Sequence, residues 1–377
     1  MNTAAFYDLI TVPTMVLREA VIRKNINRMT EKITAGGATF RPHFKTHQSL
    51  EIGQWFRDAG TDKITVSSLE MAAYFASDHW EDITVAFPVN LRQHTLINKL
   101  AGKIRLGLVA EDAGVINALD HLMLHRAGIW LKIDTGYHRT GIPWDHFEKI
   151  EQCIDTLNKT GHLFFQGLLS HSGNTYQAKG TAEVFSLHEL AKTRMLKLRD
   201  HFRSKAPDFK TSMGDTPSCS IADDFSGIDE WRPGNFVFYD LTQVSIGSCR
   251  YDDIAAIVAC PVVAIHPERL EAVIYGGAIH FSKDRLVRNN QEIFGQAVRL
   301  NGNGWSTAPL DIVIRSLSQE HGIVQFKSVT DMSGYQPGGL IGFYPVHSCL
   351  TANLLREYLT TTGRQISHLP GLAKPAF

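Results

Sequence analysis

The chain has 377 residues, of which 44% are hydrophobic and 20% charged, and its 38 basic side chains equal its 38 acidic ones. This length predicts two domains with buried cores, and the balanced charge predicts neither nucleic acid nor a membrane surface as a partner. We expect no signal peptide and no membrane span. The 5 cysteines are odd in number and widely spaced, which argues against a disulfide framework and predicts a cytoplasmic protein.

The first two-thirds of the chain alternates short β-rich runs with amphipathic stretches. In one such stretch Ile22, Ile26, Met29 and Ile33 recur at helical spacing. The predicted strands cover residues 38–44, 63–67, 83–87, 104–109, 129–134, 164–171, 209–213 and 235–240. Repeated strand–helix units of this number predict a (β/α)8 barrel of the TIM type rather than an open doubly wound sheet. No GxGxxG follows the first strand, which weakens a dinucleotide-binding alternative.

After residue 247 the sequence changes to short β-rich runs separated by Gly, Asn and Asp, and helical patterns become scarce. We therefore predict the barrel over residues 1–247 and a smaller, mainly β domain over residues 248–377. The residues before about position 15 are candidates for pairing with that β domain.

The segment RPHFKTH, residues 41–47, is the most informative in the chain. If the first strand continues through it, Arg41, His43, Lys45 and His47 share one face, which in a barrel points to the lumen. Charged side chains there are costly unless they are paired or used, and the carboxyl ends of barrel strands carry the active sites. A lysine beside other cationic groups suits Schiff-base chemistry. The alternative is an exposed polar edge after the strand.

Further polar segments follow strands five to eight. Residues 132–141 carry Arg139 on a glycine-containing loop. Residues 171–176, 214–220 and 232–239 are rich in Gly, Ser, Thr and Asn, which suit a phosphate. Each segment alone is weak evidence, since helix caps use the same residues. Their convergence at one end of a barrel favours a phosphate site.

In the second domain, His347 and Cys349 stand two residues apart in PVHSC, which predicts that they lie on the same side of a strand. Imidazole and thiolate are zinc ligands, but a catalytic site needs another protein ligand. From spacing alone, a buried histidine and an inert cysteine are the alternative.

Taken together, these segments resemble the fold-type III pyridoxal 5'-phosphate (PLP) enzymes, most closely the group of eukaryotic-type D-serine dehydratases and D-threonine aldolases, with an alanine racemase-like barrel. RPHFKTH matches the lysine motif of that group, which implies that Lys45 carries PLP as a Schiff base. DTGYHRTG resembles the loop whose arginine, here Arg139, approaches the cofactor ring. Arg232 stands where the alanine racemases pair an arginine with the pyridine nitrogen. The resemblance implies further PLP contacts from His43, His171, Asn174, Tyr176, Thr216, Gly234 and Asn235. It also implies a divalent metal, zinc or another, on His347 and Cys349.

The resemblance implies a lyase acting on a β-hydroxy D-amino acid, and D-serine dehydratase, giving pyruvate and ammonia, is the preferred reading. Lys45 would take the Cα proton, and zinc would assist loss of the β-hydroxyl. The alternatives are a D-threonine or 3-hydroxy-D-aspartate aldolase, an amino-acid racemase using a tyrosine such as Tyr344 or Tyr275, and a non-catalytic PLP-binding protein. A metal-dependent barrel hydrolase using His43, His47 and His171 is more distant. A homodimer is expected, with a small amino acid as the substrate.

Overall fold

The structure is a computed structural model that describes residues 6–288, 290–302 and 304–371. The chain divides into two compact units: residues 27–45 with 53–234 form the first, and the stretches up to 26, 46–52 and from 235 onward form the second. The boundary predicted after residue 247 stays a prediction. No described helix is both long and apolar enough to cross a membrane.

The first unit contains eight parallel strands in a closed ring. They are Thr39–Phe40, Ile64–Val66, Asp82–Pro88, Arg105–Ala110, Ala127–Asp134, Leu163–Ser170, Lys210–Met213 and Glu230–Trp231. Neighbours in the chain pair in turn, and the eighth strand pairs with the first. A bridge between His43 and Thr65 joins the first strand to the second and closes the ring. The predicted (β/α)8 barrel is confirmed.

The barrel strands form because both of their faces are covered. The fifth strand, Ala127–Asp134, is buried along nearly its whole length and reads as an almost continuous apolar run. In the sixth strand Gly167 has a φ of +159°, and a Cβ there would lie 1.9 Å from the carbonyl oxygen of Lys210. Glycine is therefore required at this position for the sixth strand to pair with the seventh, Lys210–Met213.

Helices lie in the segments that join the barrel strands. The helices of the chain up to residue 246 are Glu19–Ala35, Leu50–Asp58, Leu69–Ala76, His94–Ala101, Ala113–Asp120, Phe147–Leu157, Thr181–Phe202, Thr216–Ile221 and, in the second unit, Leu241–Ile246. Short 3-10 helices cover Tyr7–Leu9, Leu91–Gln93, Gly173–Gln177, Asn235–Val237, Tyr251–Asp253 and Pro267–Arg269. The four apolar residues noted at helical spacing are all buried on Glu19–Ala35, as their periodicity predicts.

Two predicted strands differ from the observed ones. The eighth strand is Glu230–Trp231, and residues 235–240 are not extended: Asn235–Val237 is a 3-10 helix and Tyr239 has a left-handed φ of +51°. Pro233, which has no N–H, lies two residues beyond Trp231 and ends the pairing. The first strand stops at Phe40 for the same reason, because Pro42 lies just beyond it.

The second unit is mainly β, as predicted. Its largest sheet contains Thr14–Leu17, Ala256–His266, Glu271–Tyr275, Gly295–Asn301, Gly304–Leu317, His321–Gln325, Leu340–Pro345, Glu357–Thr360 and Gln365–Ser367. Six of these close into an antiparallel ring, because Ala256–His266 pairs with Glu271–Tyr275 as well as with Leu340–Pro345. Leu286–Arg288 and Gln291–Ile293 form a separate hairpin, and helices cover Ala278–Phe281, Val329–Met332 and Ser348–Leu355. Buried apolar side chains such as Val258, Ile314 and Phe343 form its core.

Candidate active site

The chain around Lys45 is a turn and not a continued strand. The His43 N–H donates to the carbonyl of Pro233 at 2.8 Å, and the Lys45 N–H donates to His43 Nδ1 at 3.3 Å. The four alternating side chains therefore do not share one face, and this expectation is wrong. Arg41 instead lies in a buried ion pair, with Nε 2.5 Å from Glu230 Oε2 and Nη1 2.6 Å from Asp82 Oδ1.

His47 belongs to the second unit and lies in its core. Its ring is buried, its Nδ1 accepts from the Ser49 N–H at 3.2 Å, and the hydroxyl of Tyr358 donates to its backbone carbonyl at 2.7 Å. Burial, with a smaller contribution from His368, lowers the pKa of His47 to about 3. The side chain is therefore a neutral core imidazole of that unit.

Two half-buried histidines of the barrel are held neutral. Burial, together with nearby Lys45 and Arg232, lowers the pKa of His43 well below its usual value. Burial, together with Lys132 and Lys45, does the same for His171. The His171 Nδ1 lies 3.0 Å from the carbonyl oxygen of Gly214, so Nδ1 carries the proton and Nε2 is left as an acceptor.

Lys132 places a further amine in this region. It lies on the fifth strand with 7% of its surface exposed. Its pKa is lowered well below the usual value by burial and by the charges of Arg232 and Arg139, against the opposing effects of Asp134 and Glu111. Groups that suppress each other's protonation in this way mark a strongly positive site, which favours an anionic ligand.

The loop after the fifth strand is organised by Asp134. Its Oδ1 accepts from the backbone N–H groups of Gly136, Tyr137 and His138 at 2.8, 2.9 and 3.1 Å. These hydrogen bonds hold the pKa of Asp134 below its ordinary value despite partial burial, which alone would raise it. The loop turns back as its glycines predict and carries Arg139, whose guanidinium carbon lies 5.0 Å from the Tyr137 ring centroid.

The loops after strands six, seven and eight meet at Thr216. Its N–H donates to the hydroxyl oxygen of Tyr176 at 3.4 Å, and its Oγ1 accepts from the Gly234 N–H at 3.3 Å. Gly234 allows close approach, because a Cβ there would lie 2.7 Å from the carbonyl oxygen of His43. The predicted convergence of these loops is therefore present within the barrel unit.

Arg232 is buried among the ends of strands six and seven. Its Nε donates to Ser212 Oγ at 2.6 Å, and its Nη2 donates to the carbonyl oxygens of Ser170 and Ser212. Burial lowers the pKa of this guanidinium to about 10, and the nearby Glu230 partly opposes the shift. The hydrogen bonds to Ser170 and Ser212, which lie on the strands, thus fix the orientation of the Arg232 side chain.

The barrel residues fit PLP. Lys45 supplies the amine that an aldehyde requires, and the positive charges around it suit a phosphate and a substrate carboxylate. The Asn174 Oδ1 is buried without a hydrogen-bond partner among the described residues, as expected of an acceptor facing a ligand. Gly173 keeps the space beside it narrow, since a Cβ there would lie 2.3 Å from the Tyr137 ring.

His347 and Cys349 lie in the second unit at the start of a helix, so their predicted placement on a strand is wrong. The strand Leu340–Pro345 ends before them, and the helix begins at Ser348. The two side chains nevertheless contact each other through a hydrogen bond. Burial alone would lower the pKa of His347, but Cys349, with the carboxylates of Asp240 and Asp284, raises it to about 9.

The environment of Cys349 is polar. Thr46 Oγ1 lies 3.1 Å and Asn235 Nδ2 lies 3.4 Å from its Sγ. Among the described residues, no group of three or more His, Cys, Asp or Glu side chains is placed to hold a metal. The His–Cys pair supplies two ligands of the types that zinc prefers, one fewer than the three protein ligands of a usual catalytic zinc site.

Asn235, which was expected to contact PLP, belongs to the second unit and lies beside Cys349, and its contact with PLP stays a prediction. Sequence reasoning missed two other residues of these sites. Asp240 contacts Ser348, which is 108 positions away, and no local pattern links the two. Asp215 could have been found as the cap before Thr216; its Oδ1 accepts from Thr175 Oγ1 and the Ser218 N–H, both at 2.8 Å.

A closed parallel barrel with a lysine turn after its first strand, in a chain that also has an antiparallel β unit, defines an alanine racemase-type PLP protein. The chain belongs to this family: the alanine racemase N-terminal domain model matches residues 18–241, and a serine dehydratase domain model matches residues 255–361. The predicted resemblance is confirmed.

Several proteins that are similar to this chain have a named activity. D-serine dehydratase of Dictyostelium discoideum is 29% identical over 93% of each chain, and D-threo-3-hydroxyaspartate dehydratase of Delftia sp. is 28% identical over 92% of this chain and 93% of its own. A structure of the Delftia enzyme superposes with a TM-score of 0.89 over 98% of this chain and all of its own, at 24% identity. A further structure, of a D-threo-3-hydroxyaspartate dehydratase, is described as a cysteine-to-alanine variant in the metal-free form. D-threonine aldolase from Filomicrobium marinum superposes with a TM-score of 0.81 at 18% identity, over 96% and 95% of the two chains.

Proposed function

We propose that this chain is a PLP-dependent lyase that removes water from a D-amino acid with a β-hydroxyl group, D-serine in the first place, and so releases pyruvate and ammonia. The observation that carries the proposal is the presence of both reactive sets in one chain: Lys45 in the positive end of the barrel, and the contacting pair His347 and Cys349 in the serine dehydratase domain.

The barrel residues divide the work of binding. Bound PLP would supply an electron sink that stabilises negative charge at the substrate Cα. Lys45 would hold PLP, and its amine is the candidate base for the Cα proton. The groups around Thr216 would hold the phosphate, and Arg139 would supply a positive charge for the cofactor and the substrate carboxylate.

Four further side chains of the barrel are candidates for hydrogen bonds with PLP. His43 and His171 stay neutral, so they add hydrogen bonds without further positive charge. Arg232 is the candidate for the pyridine nitrogen, although its contacts with Ser170 and Ser212 use several of its donors. Asn174 offers its buried Oδ1 to a donor on the ligand.

His347 and Cys349 would hold a divalent metal, for which zinc is our proposal because imidazole and thiolate are its preferred ligands. The metal would supply a Lewis acid for the departing hydroxide, which is a poor leaving group. The metal-free form described for a D-threo-3-hydroxyaspartate dehydratase supports a metal in this group of enzymes. A homodimer and a cytoplasmic location remain predictions.

A second candidate substrate is D-threo-3-hydroxyaspartate, whose dehydration would release oxaloacetate and ammonia. The similarity to the Delftia dehydratase and the additional buried amine of Lys132 favour it, because this substrate carries a second carboxylate that an amine can bind. Aldol cleavage has less support, since the aldolase superposes less closely than the dehydratase.

The test uses the full chain supplied with PLP and zinc. We expect an absorption band at about 420 nm that is lost in Lys45→Ala and kept in Lys103→Ala, which removes an exposed lysine. D-serine and D-threo-3-hydroxyaspartate are then compared by the ammonia and 2-oxo acid they release, and D-threonine by the glycine it releases. Glycine with no 2-oxo acid from any substrate would reassign the protein as an aldolase. A missing 420 nm band would refute the assignment to PLP chemistry.

A further inference from the structure

Asn235 joins Cys349 to a buried carboxylate. The residue is 1% exposed. Its Nδ2 lies 2.7 Å from Asp240 Oδ2, 3.0 Å from Ser348 Oγ and 3.4 Å from Cys349 Sγ. One amide nitrogen therefore reaches three acceptors, one of which is the sulfur.

The orientation of this amide is fixed by Asp240. An ionised carboxylate only accepts hydrogen bonds, so the NH2 end of Asn235 must face it. Asp240 is itself held in place, because its Oδ1 accepts from the Gln243 N–H at 3.0 Å and its Oδ2 from the Ser348 N–H at 2.9 Å. The amide of Asn235 consequently cannot turn away without losing a charge-assisted hydrogen bond.

The other end of the amide supports a role beyond packing. Asn235 Oδ1 is buried and has no hydrogen-bond partner among the residues that the structure describes. An unpaired buried carbonyl oxygen costs about 1–3 kcal/mol. If Asn235 served only to pack the core, an apolar side chain of similar size would avoid the cost of burying an unpaired carbonyl oxygen.

We propose that Asn235 is a positioning residue that fixes the sulfur of Cys349 for metal binding, with Asp240 and Ser348 holding its amide in place. The inference rests on the proposed metal site. Thr46 Oγ1, 3.1 Å from the sulfur, is the second polar contact, so Asn235 and Thr46 together restrict the rotation of the cysteine side chain. Residues that hold a metal ligand in this way typically change metal affinity about 10- to 100-fold when removed.

The experiment measures metal affinity directly and needs no turnover. The PLP-loaded full chain is stripped of metal with a chelator, and zinc is titrated in competition with a chromogenic chelator. Cobalt(II) is titrated separately, because its absorption reports whether the sulfur is bound. Asn235→Ala and the shape-keeping Asn235→Leu are compared with wild type. Ser245→Ala is the control, since it removes an exposed hydroxyl from the helix Leu241–Ile246, which Asp240 caps.

We expect the zinc Kd to rise about 10- to 100-fold in both Asn235 variants and to stay unchanged in Ser245→Ala, with a weaker sulfur-to-cobalt band. If one Asn235 variant fails to fold, as judged by circular dichroism, the other is used, and Thr46→Val tests the same restraint from the second contact. A lowered Tm with a zinc Kd and cobalt band equal to wild type would overturn the inference and leave the metal site standing. Wild type that binds neither metal would instead remove the metal site, and this inference with it.

Discussion

The buried imidazole of His188 makes the stability of the barrel unit depend on pH. The residue lies on the helix Thr181–Phe202 with 1% of its surface exposed, and its ring centroid is 5.4 Å from that of Trp231. Burial, with a contribution from Lys192 that exceeds the opposing one from Asp224, lowers its pKa from 6.5 to about 4.

The sign follows from which state binds the proton. Since the folded-state pKa is below the unfolded one, the unfolded chain takes up a proton first as the pH falls. The stabilising contribution of the neutral ring is complete above pH 6.5 and is lost progressively down to about pH 4. The full loss is about 3 kcal/mol at 1.36 kcal/mol per pKa unit, and about 2 kcal/mol of it has been lost by roughly pH 5.

The perturbation that isolates this effect is His188→Phe, which keeps a flat ring against Trp231 and removes the titrating group. The free energy of unfolding is measured by urea titration at about pH 8 and pH 5. We expect the drop between the two values to be smaller in the variant by about 2 kcal/mol. Val184→Ala, which trims a fully buried side chain of the same helix, is the packing control, and it should lower stability equally at both pH values. Equal drops in wild type and His188→Phe would refute the reasoning.

Two further predictions concern the barrel. Arg41→Met leaves the carboxylate of Glu230 buried without its arginine partner and should cost about 3–5 kcal/mol in urea unfolding. Its control is Arg105→Met, which removes a 76% exposed arginine 3.5 Å from Asp82 and should cost under about 1 kcal/mol. Similar losses in the two variants would contradict the role of burial. Gly214→Ala should weaken PLP binding in a fluorescence titration by at least about tenfold, since its φ is +139° and its Cβ would lie 2.5 Å from the Arg232 backbone nitrogen. Gly161→Ala, at a site open on all sides, is its control, and an unchanged PLP affinity in Gly214→Ala would count against the convergence of these loops.

The sequence predicts the barrel well because its strands are continuous buried runs bounded by helices, as in Ala127–Asp134. It fails at the eighth strand because the apolar run at residues 236–239 has the composition of a strand. That run is buried in another conformation, which Pro233 and the left-handed Tyr239 impose. An apolar run in the sequence thus predicts that these residues are buried, but it does not predict the secondary structure that they adopt.

Some residues of the candidate site could be predicted from the sequence and others could not. Lys45 and the loop of Arg139 could be singled out because each lies in one short segment with a recognisable motif. Arg41 was misplaced because Asp82 and Glu230, its partners, lie 41 and 189 positions away, and a charged residue in a barrel strand has no local sign of whether it is paired or used. The link from Asp240 through Asn235 to Cys349 was invisible for the same reason.

The strand Thr14–Leu17 bears on how the chain is made. It is paired on one side with Ala256–His266 and on the other with Glu357–Thr360. At a synthesis rate of about 5–20 residues per second, the first partner emerges from the ribosome on the order of ten to fifty seconds after this strand, and the second partner later still. During that interval both of its edges are open to pairing with other chains. Strand Thr14–Leu17 therefore depends on chaperones to cover its edges during translation more than the second to seventh barrel strands do, because each of those pairs with the next barrel strand in the chain.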